Sequence, residues 1–107
     1  MSELHRLPAI DLQGLLESGQ VSAREVTDAF LQRIEQVDGA LNAFLHVNQA
    51  ATEVADAIDK KRSAGEALPP TAGLPVAVKD VLCTSDMPTT SGSRILEGWV
   101  PPYDATV

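Results

Sequence analysis

The chain has 107 residues, 44% of them hydrophobic and 21% charged, and a formal net charge of -7 at neutral pH. That length supports one small core with much surface left exposed, and the apolar content is that of a globular protein rather than a disordered one. The acidic balance argues against a phosphate-binding surface of clustered Lys and Arg, and Phe30, Phe44, Trp99 and Tyr103 are too scattered for a base-stacking platform. A single cysteine, Cys83, rules out an intrachain disulfide framework and a cysteine-based zinc site, and it fits a reducing compartment. The opening MSELHRLPAI lacks the apolar run of a signal peptide, and no stretch approaches the roughly 18 residues that a membrane span needs. A cytoplasmic protein is expected.

Six of the seven prolines follow Leu68, so residues 1–67 are predicted to be mainly helical and 68–107 to be strand and loop. A first helix is predicted from Ile10 to Glu17, with Leu12, Leu15 and Leu16 at helical spacing and Gly19 as its stop. Ser22 and Glu25 have the spacing of a capping box, in which hydroxyl and carboxylate satisfy free backbone donors at a helix start. The helix that follows is expected from Ala23 to about Val37. Val26, Phe30, Ile34 and Val37 form its apolar stripe, Arg24, Asp28, Gln32 and Glu35 lie outside, and Gly39 ends it.

Leu41–Val47 reads as a strand or extended linker. His46, inside it, has no partner at catalytic spacing and is read as structural, as is His5 near the terminus. Asn48 is the expected N-cap of a third helix reaching Ala64, with Ala51, Val54, Ala55 and Ile58 facing inward and Gly65 beyond its end. Lys60, Lys61 and Arg62 in its last turn are read as complements to the helix dipole rather than as a phosphate contact. Leu68, Pro69, Pro70 and Thr71 make a stiff connection onward.

Val76, Ala77 and Val78 are apolar on both alternating faces, as in a strand covered on both sides, and Lys79 ends the run. Beyond Arg62 the only other basic residue is Arg94, so Lys79 does not belong to a solvated charge face. A buried ammonium is costly unless paired or neutralised, which makes Lys79 a candidate for chemistry, although many strands end in a lysine where the chain reaches solvent. Asp80 should point to the opposite face from Lys79 and serve as an acceptor for backbone or hydroxyl donors in the turn. Cys83 is a rival nucleophile, since a lysine four residues away could assist a thiolate, but a free cysteine in an apolar run is usually an inert small hydrophobe. Thr84, Ser85, Thr89, Thr90, Ser91 and Ser93 are read as capping and turning the loop. A short helical turn is expected within Ser93–Trp99. Asp104, before Ala105, Thr106 and Val107, has the look of an N-cap.

GLPVAVKD, followed by TSDMPTTSGS, RILEGW and PPYDATV, resembles the start of the conserved core of the amidase signature family. Within that family the wording is most similar to the A subunits of tRNA-dependent amidotransferases, through TTSGS, ILEG, PYDAT and the upstream LNAFLHV. The resemblance runs from about Leu12 to Val107. It implies chemistry by a nucleophilic serine, a second serine in a cis peptide, and a lysine, and Lys79 stands where that lysine falls. No glycine- and serine-rich run of the kind that carries the two serines occurs before Val107, so an amino-terminal segment of a single amidase domain is expected, inactive by itself. A lysine base has to be neutral. Its reference pKa of about 10.4 is lowered by burial, for which Val76, Ala77, Val78, Val81 and Leu82 are the expected apolar surround.

The expected fold class is α/β, with helices packed on the first strands of a larger mixed sheet. The implied function is hydrolysis of the glutamine side-chain amide, with delivery of ammonia to misacylated Glu-tRNA(Gln) or Asp-tRNA(Asn) on partner subunits of a heteromeric complex. ATP and Mg would be used on a partner subunit, which would also hold the tRNA, and no cofactor is expected in this chain. Two other readings stay open at this point: a stand-alone amidase of the same family acting on a small amide, and a non-catalytic helical interaction module.

Overall fold

The structure is a computed structural model, and it describes residues 3–107. Its helices are α1 (Ala9–Glu17), α2 (Ala23–Leu41) and α3 (Ala51–Ser63), with short 3-10 turns at Leu4–Arg6 and Arg94–Leu96. The described residues form two compact units, one made of those up to Asn42 with Gln49–Pro75, the other of Ala43–Asn48 with Val76–Val107.

The first unit is the helical one. Leu12 and Leu16 of α1, Ala23 and Val26 of α2 and Ala55 of α3 gather with Leu4 and Val21 into its core, flanked by Leu7, Leu15, Phe30, Ile58 and Leu74. Leu16 is 1% exposed and Val26 is fully buried, so the apolar spacing in α1 and in the first half of α2 gives the core face as expected. Gly19 ends α1 in a left-handed conformation at φ 76°.

The start of α2 carries every cap that its sequence announces and one that it does not. Ser22 Oγ accepts the Glu25 N–H at 3.0 Å and the Glu25 carboxylate accepts the Ser22 N–H at 2.8 Å, which completes the capping box. The next two free amides go to α3, where Asp59 Oδ1 accepts the Ala23 N–H at 2.7 Å and Oδ2 the Arg24 N–H at 3.0 Å. A carboxylate at a helix N-terminus also meets the positive end of its dipole. Arg24 then bonds Asp28 one turn along and Asp56 on α3 at 2.8 Å. Its pKa is raised, first by the hydrogen bond and charge of Asp28 and then by the charge of Asp56.

Two helix boundaries differ from the sequence expectation. Gly39 does not end α2, which continues to Leu41 and is closed by Asn42 at φ 52°, its N–H bonded to the Asp38 carbonyl at 2.6 Å. A glycine inside a helix costs about 1 kcal/mol against alanine but breaks no hydrogen bond, whereas the left-handed Asn42 does end the ladder. Nor does Asn48 cap α3. That helix begins at Ala51 after Ala50, without a side-chain cap, while the Asn48 amide donates to Asp86 at 3.3 Å within the second unit. On α3 it is Ala55 that is buried. Val54, expected to face inward, is 59% exposed, lying to one side of the ridge formed by Ala51, Ala55 and Ile58.

After Gly65, left-handed at φ 75°, the chain returns past the helices. Arg62 donates from Nη2 to the Ala72 carbonyl at 3.2 Å, so one member of the basic triplet holds this returning segment in addition to facing the helix end. Gly73 is required where it stands. Its φ is 92°, and a Cβ there would lie 3.0 Å from the Cβ of Ala23 and 3.4 Å from Leu16 Cδ1.

The expected strands do not form: none of the described residues is in a strand. Val76–Lys79 and residues 42–47 are irregular, because a segment apolar on both faces needs ladder partners on each side and these residues supply none. The burial predicted for that run is absent too. Val76 is 78% exposed, Val78 and Val81 are exposed, and Lys79 is exposed.

Candidate active site

The second unit is built from two turns laid side by side, one carrying Lys79 and Asp80, the other Thr90, Ser91 and Gly92. The first is a reverse turn in which the Leu82 N–H donates to the Lys79 carbonyl at 3.0 Å. The second places two successive residues in the left-handed region, Ser91 at φ 52° and Gly92 at φ 70°. That conformation is uncommon for a residue with a side chain, and here it turns consecutive amides toward one acceptor.

The acceptor is Asp80. Its Oδ1 accepts the Thr90 N–H at 2.9 Å, Oδ2 accepts the Thr90 hydroxyl and the Gly92 N–H at 3.1 Å, and its carbonyl accepts the Ser91 N–H at 2.9 Å. The Thr90 hydroxyl, followed by the Thr90 amide, holds the Asp80 carboxyl below its ordinary pKa, against an opposing effect of burial, with the Gly92 amide adding to the lowering. Asp80 is thus the turn acceptor that strand geometry suggested. Its carboxylate is committed to the Thr90–Gly92 turn, and the Lys79 ammonium forms no ion pair among the described residues.

A second carboxylate ties the far end of the unit. Asp104 Oδ1 accepts the Ser85 N–H at 2.7 Å and the Ser85 hydroxyl at 3.0 Å, while the Ala105 N–H reaches the Cys83 carbonyl at 2.8 Å. The Ser85 amide, then the Ser85 hydroxyl, lowers the Asp104 pKa, again partly opposed by burial. Here Asp104 caps the turn that begins at Ser85. The sequence signal was the Asp-Ala-Thr tripeptide, which specifies a cap but not which amide it will cap.

Between these ties sits Thr89, 3% exposed. Its N–H donates to the Trp99 carbonyl at 3.0 Å, and its hydroxyl accepts the Thr84 N–H at 3.4 Å and faces the Leu82 carbonyl at 3.5 Å. Ser93 Oγ accepts the Ile95 N–H at 3.2 Å and starts the short 3-10 turn expected within Ser93–Trp99. Ser85, Thr89, Thr90 and Ser93 all direct their hydroxyls to backbone or to a carboxylate of the loop, as turn residues do.

Among the described residues no group of three or more His, Cys, Asp or Glu is placed to hold a metal ion. Cys83 is a half-buried free thiol, and His46 lies exposed on the 42–47 segment. The arrangement offers one chemically distinctive group, a lysine amine without an ion-pair partner on a turn fixed by charged hydrogen bonds. The same unit carries apolar side chains left open to solvent: Ile95 is 92% exposed, and Val76, Val78 and Val81 are exposed with it. No helix among the described residues is long and apolar enough to cross a membrane.

The family model described as Amidase matches residues 25–107. Over its whole length the chain is 56% identical to the glutamyl-tRNA(Gln) amidotransferase A subunits of Salinispora arenicola and of Thermobifida fusca, in each case covering 22% of the relative. It therefore spans little more than a fifth of the length of the curated relatives it matches. A solved structure, described as a vestigial protein complex that reveals the evolutionary origins of an s-triazine catabolic enzyme, superposes on 92% of this chain. The TM-score is 0.85 at 37% identity, and 22% of that neighbour is covered.

Proposed function

The chain belongs to the amidase family, and from that premise we propose that it is the amino-terminal part of a glutamine-hydrolysing subunit that supplies ammonia for tRNA-dependent transamidation. The observation that carries the proposal is the 56% identity, over every residue of the chain, to proteins named as the A subunit of a glutamyl-tRNA(Gln) amidotransferase. The family membership weighs against a non-catalytic helical module, and the height and extent of the identity favour an amidotransferase component over a stand-alone amidase. The acceptor would be Glu-tRNA(Gln) or Asp-tRNA(Asn), held with ATP and Mg on partner subunits in the cytoplasm. The acidic balance of this segment fits a piece that does not bind tRNA itself.

In this reading Lys79 is the base. Its amine would take a proton relayed through the bridging serine while the nucleophilic serine attacks the glutamine amide, both serines being supplied by the remainder of the domain. Two features support the assignment. By resemblance Lys79 stands where the family's lysine falls in GLPVAVKD, and Asp80, the nearest carboxylate in sequence, is bonded to the Thr90–Gly92 turn and forms no ion pair with the amine among the described residues. The exposed Val76, Val78, Val81 and Leu82 would furnish the apolar wall once further strands cover them, which is the setting in which a lysine loses its proton readily.

The test is to assemble the full-length protein with its partners and to follow glutamine-dependent conversion of Glu-tRNA(Gln) to Gln-tRNA(Gln). Conversion that proceeds on glutamine and is lost in Lys79→Ala is the expected result. Release of ammonia from simple amides, with no stimulation by the partners or by charged tRNA, would shift the assignment to a stand-alone amidase.

A further inference from the structure

We propose that Asp80 is a positioning residue for Lys79, a carboxylate strap that fixes the lysine turn against the Thr90–Gly92 turn so that the amine is held at one place in the assembled site. The proposal rests on the reading of Lys79 as the base.

The geometry is specific to that task. Asp80 directly follows Lys79, so a constraint on its carboxylate and on its carbonyl limits the backbone to which the lysine is attached. Both are constrained by the same short turn: Thr90 N–H, the Thr90 hydroxyl and Gly92 N–H on the carboxylate, Ser91 N–H on the carbonyl. Within its own turn the Lys79 carbonyl is closed by Leu82 N–H at 3.0 Å. Among the described residues Lys79 lies in no helix or strand. Hydrogen bonds to an ionised acceptor are the stronger kind, and this acceptor is kept ionised by the donors around it. Sustaining such a turn requires Ser91 in the left-handed region, a conformation that persists only where the surroundings over-determine it. An amine on a long flexible side chain reaches a reacting serine reproducibly only if its root is fixed, and displacement by about 1 Å can cost on the order of 10²-fold in rate.

The test is made in the assembled full-length enzyme, with single-turnover acylation by glutamine as the readout. Asp80→Asn should lower the acylation rate by about 10- to 100-fold, with little change in the glutamine concentration needed for half-saturation. Because Asp80 acts through Lys79, adding Asp80→Asn to Lys79→Ala should cause no further loss, whereas damage unrelated to the lysine would add to it. Thr90→Val, which removes one donor with little change of shape, should reproduce part of the defect and Thr90→Ser should restore the rate. This second pair decides the matter should Asp80→Asn fail to assemble. Wild-type acylation in Asp80→Asn, or losses that add in the double variant, would overturn the strap while leaving Lys79 as the base. Wild-type acylation in Lys79→Ala would instead overturn the base assignment, and the strap with it.

Discussion

The carboxylate of Asp80 is held by Thr90 through both the backbone amide, at 2.9 Å, and the side-chain hydroxyl, so that two turns ten residues apart in sequence are tied directly together. This linkage has a pH signature with a definite sign. The Asp80 carboxyl has a lowered pKa in the folded chain, so the stability it contributes is fully present above its unfolded value, about 3.9, and is lost as pH falls through the lower folded value. Amide hydrogen exchange at Thr90 and Gly92 should therefore lose protection as the pH is taken below about 4. In Asp80→Asn the protection should be weak at neutral pH already. Protection that is equal in the two proteins at neutral pH would show that the carboxylate does not hold the turn.

The helical unit depends on a cap that comes from another helix. Asp59→Ala removes the acceptor of the Ala23 and Arg24 amides, and a loss of about 1 to 2 kcal/mol is expected, comparable to or greater than that of Ser22→Ala. Urea unfolding monitored by helical circular dichroism, with the slope unchanged, measures it.

Gly73 makes a steric prediction. Alanine there must adopt φ near 92° and set its Cβ 3.0 Å from that of Ala23, both of them backbone-anchored atoms that cannot step aside. Gly73→Ala should destabilise by more than about 1 kcal/mol, while Gly39→Ala, inside α2 with open space around it, should stabilise by up to about 1 kcal/mol. Thermal melts of the two variants would separate in opposite directions from the parent.

The sequence was informative where a feature is local and less so where it depends on a partner. The capping box at Ser22 and Glu25, the first half of the α2 stripe at Val26 and Phe30, and the stops at Gly19 and Gly65 are set by neighbours within one turn, and the structure has these, while Ile34 and Val37 stay outside the core. The Asp59 cap joins residues 36 apart, and nothing in the spacing of either helix points to it. The strand whose alternation was to set Asp80 apart from Lys79 does not form, yet Asp80 is the turn acceptor expected, and its donors at Thr90 and Gly92 are fixed only by the fold of the loop. Val76–Lys79 shows the opposite case. Its composition is that of a covered strand, yet strand is a property of a pair, and the described residues contain no partner for it.

That missing cover has two measurable consequences for the 107-residue chain. Val76 and Ile95 are so exposed that a dye reporting apolar surface should bind the isolated chain, and exchange around residues 76–81 should be fast. If Lys79 is the base and the two serines are supplied by the remainder of the domain, the chain alone should also release no ammonia from glutamine above background. Turnover abolished by Cys83→Ala would instead make the half-buried thiol the nucleophile.

Under the proposed function, the role of Lys79 is most directly tested by Lys79→Arg in the full-length protein assembled with the partners that function implies. Arginine keeps the charge and nearly the length of the side chain but does not give up its proton near neutral pH. If Lys79 is the base, the rate of acyl-enzyme formation from glutamine falls by orders of magnitude while folding and assembly are retained. Glutaminase activity close to wild type in Lys79→Arg would show that the residue serves as a fixed positive charge, and would contradict its assignment as the base.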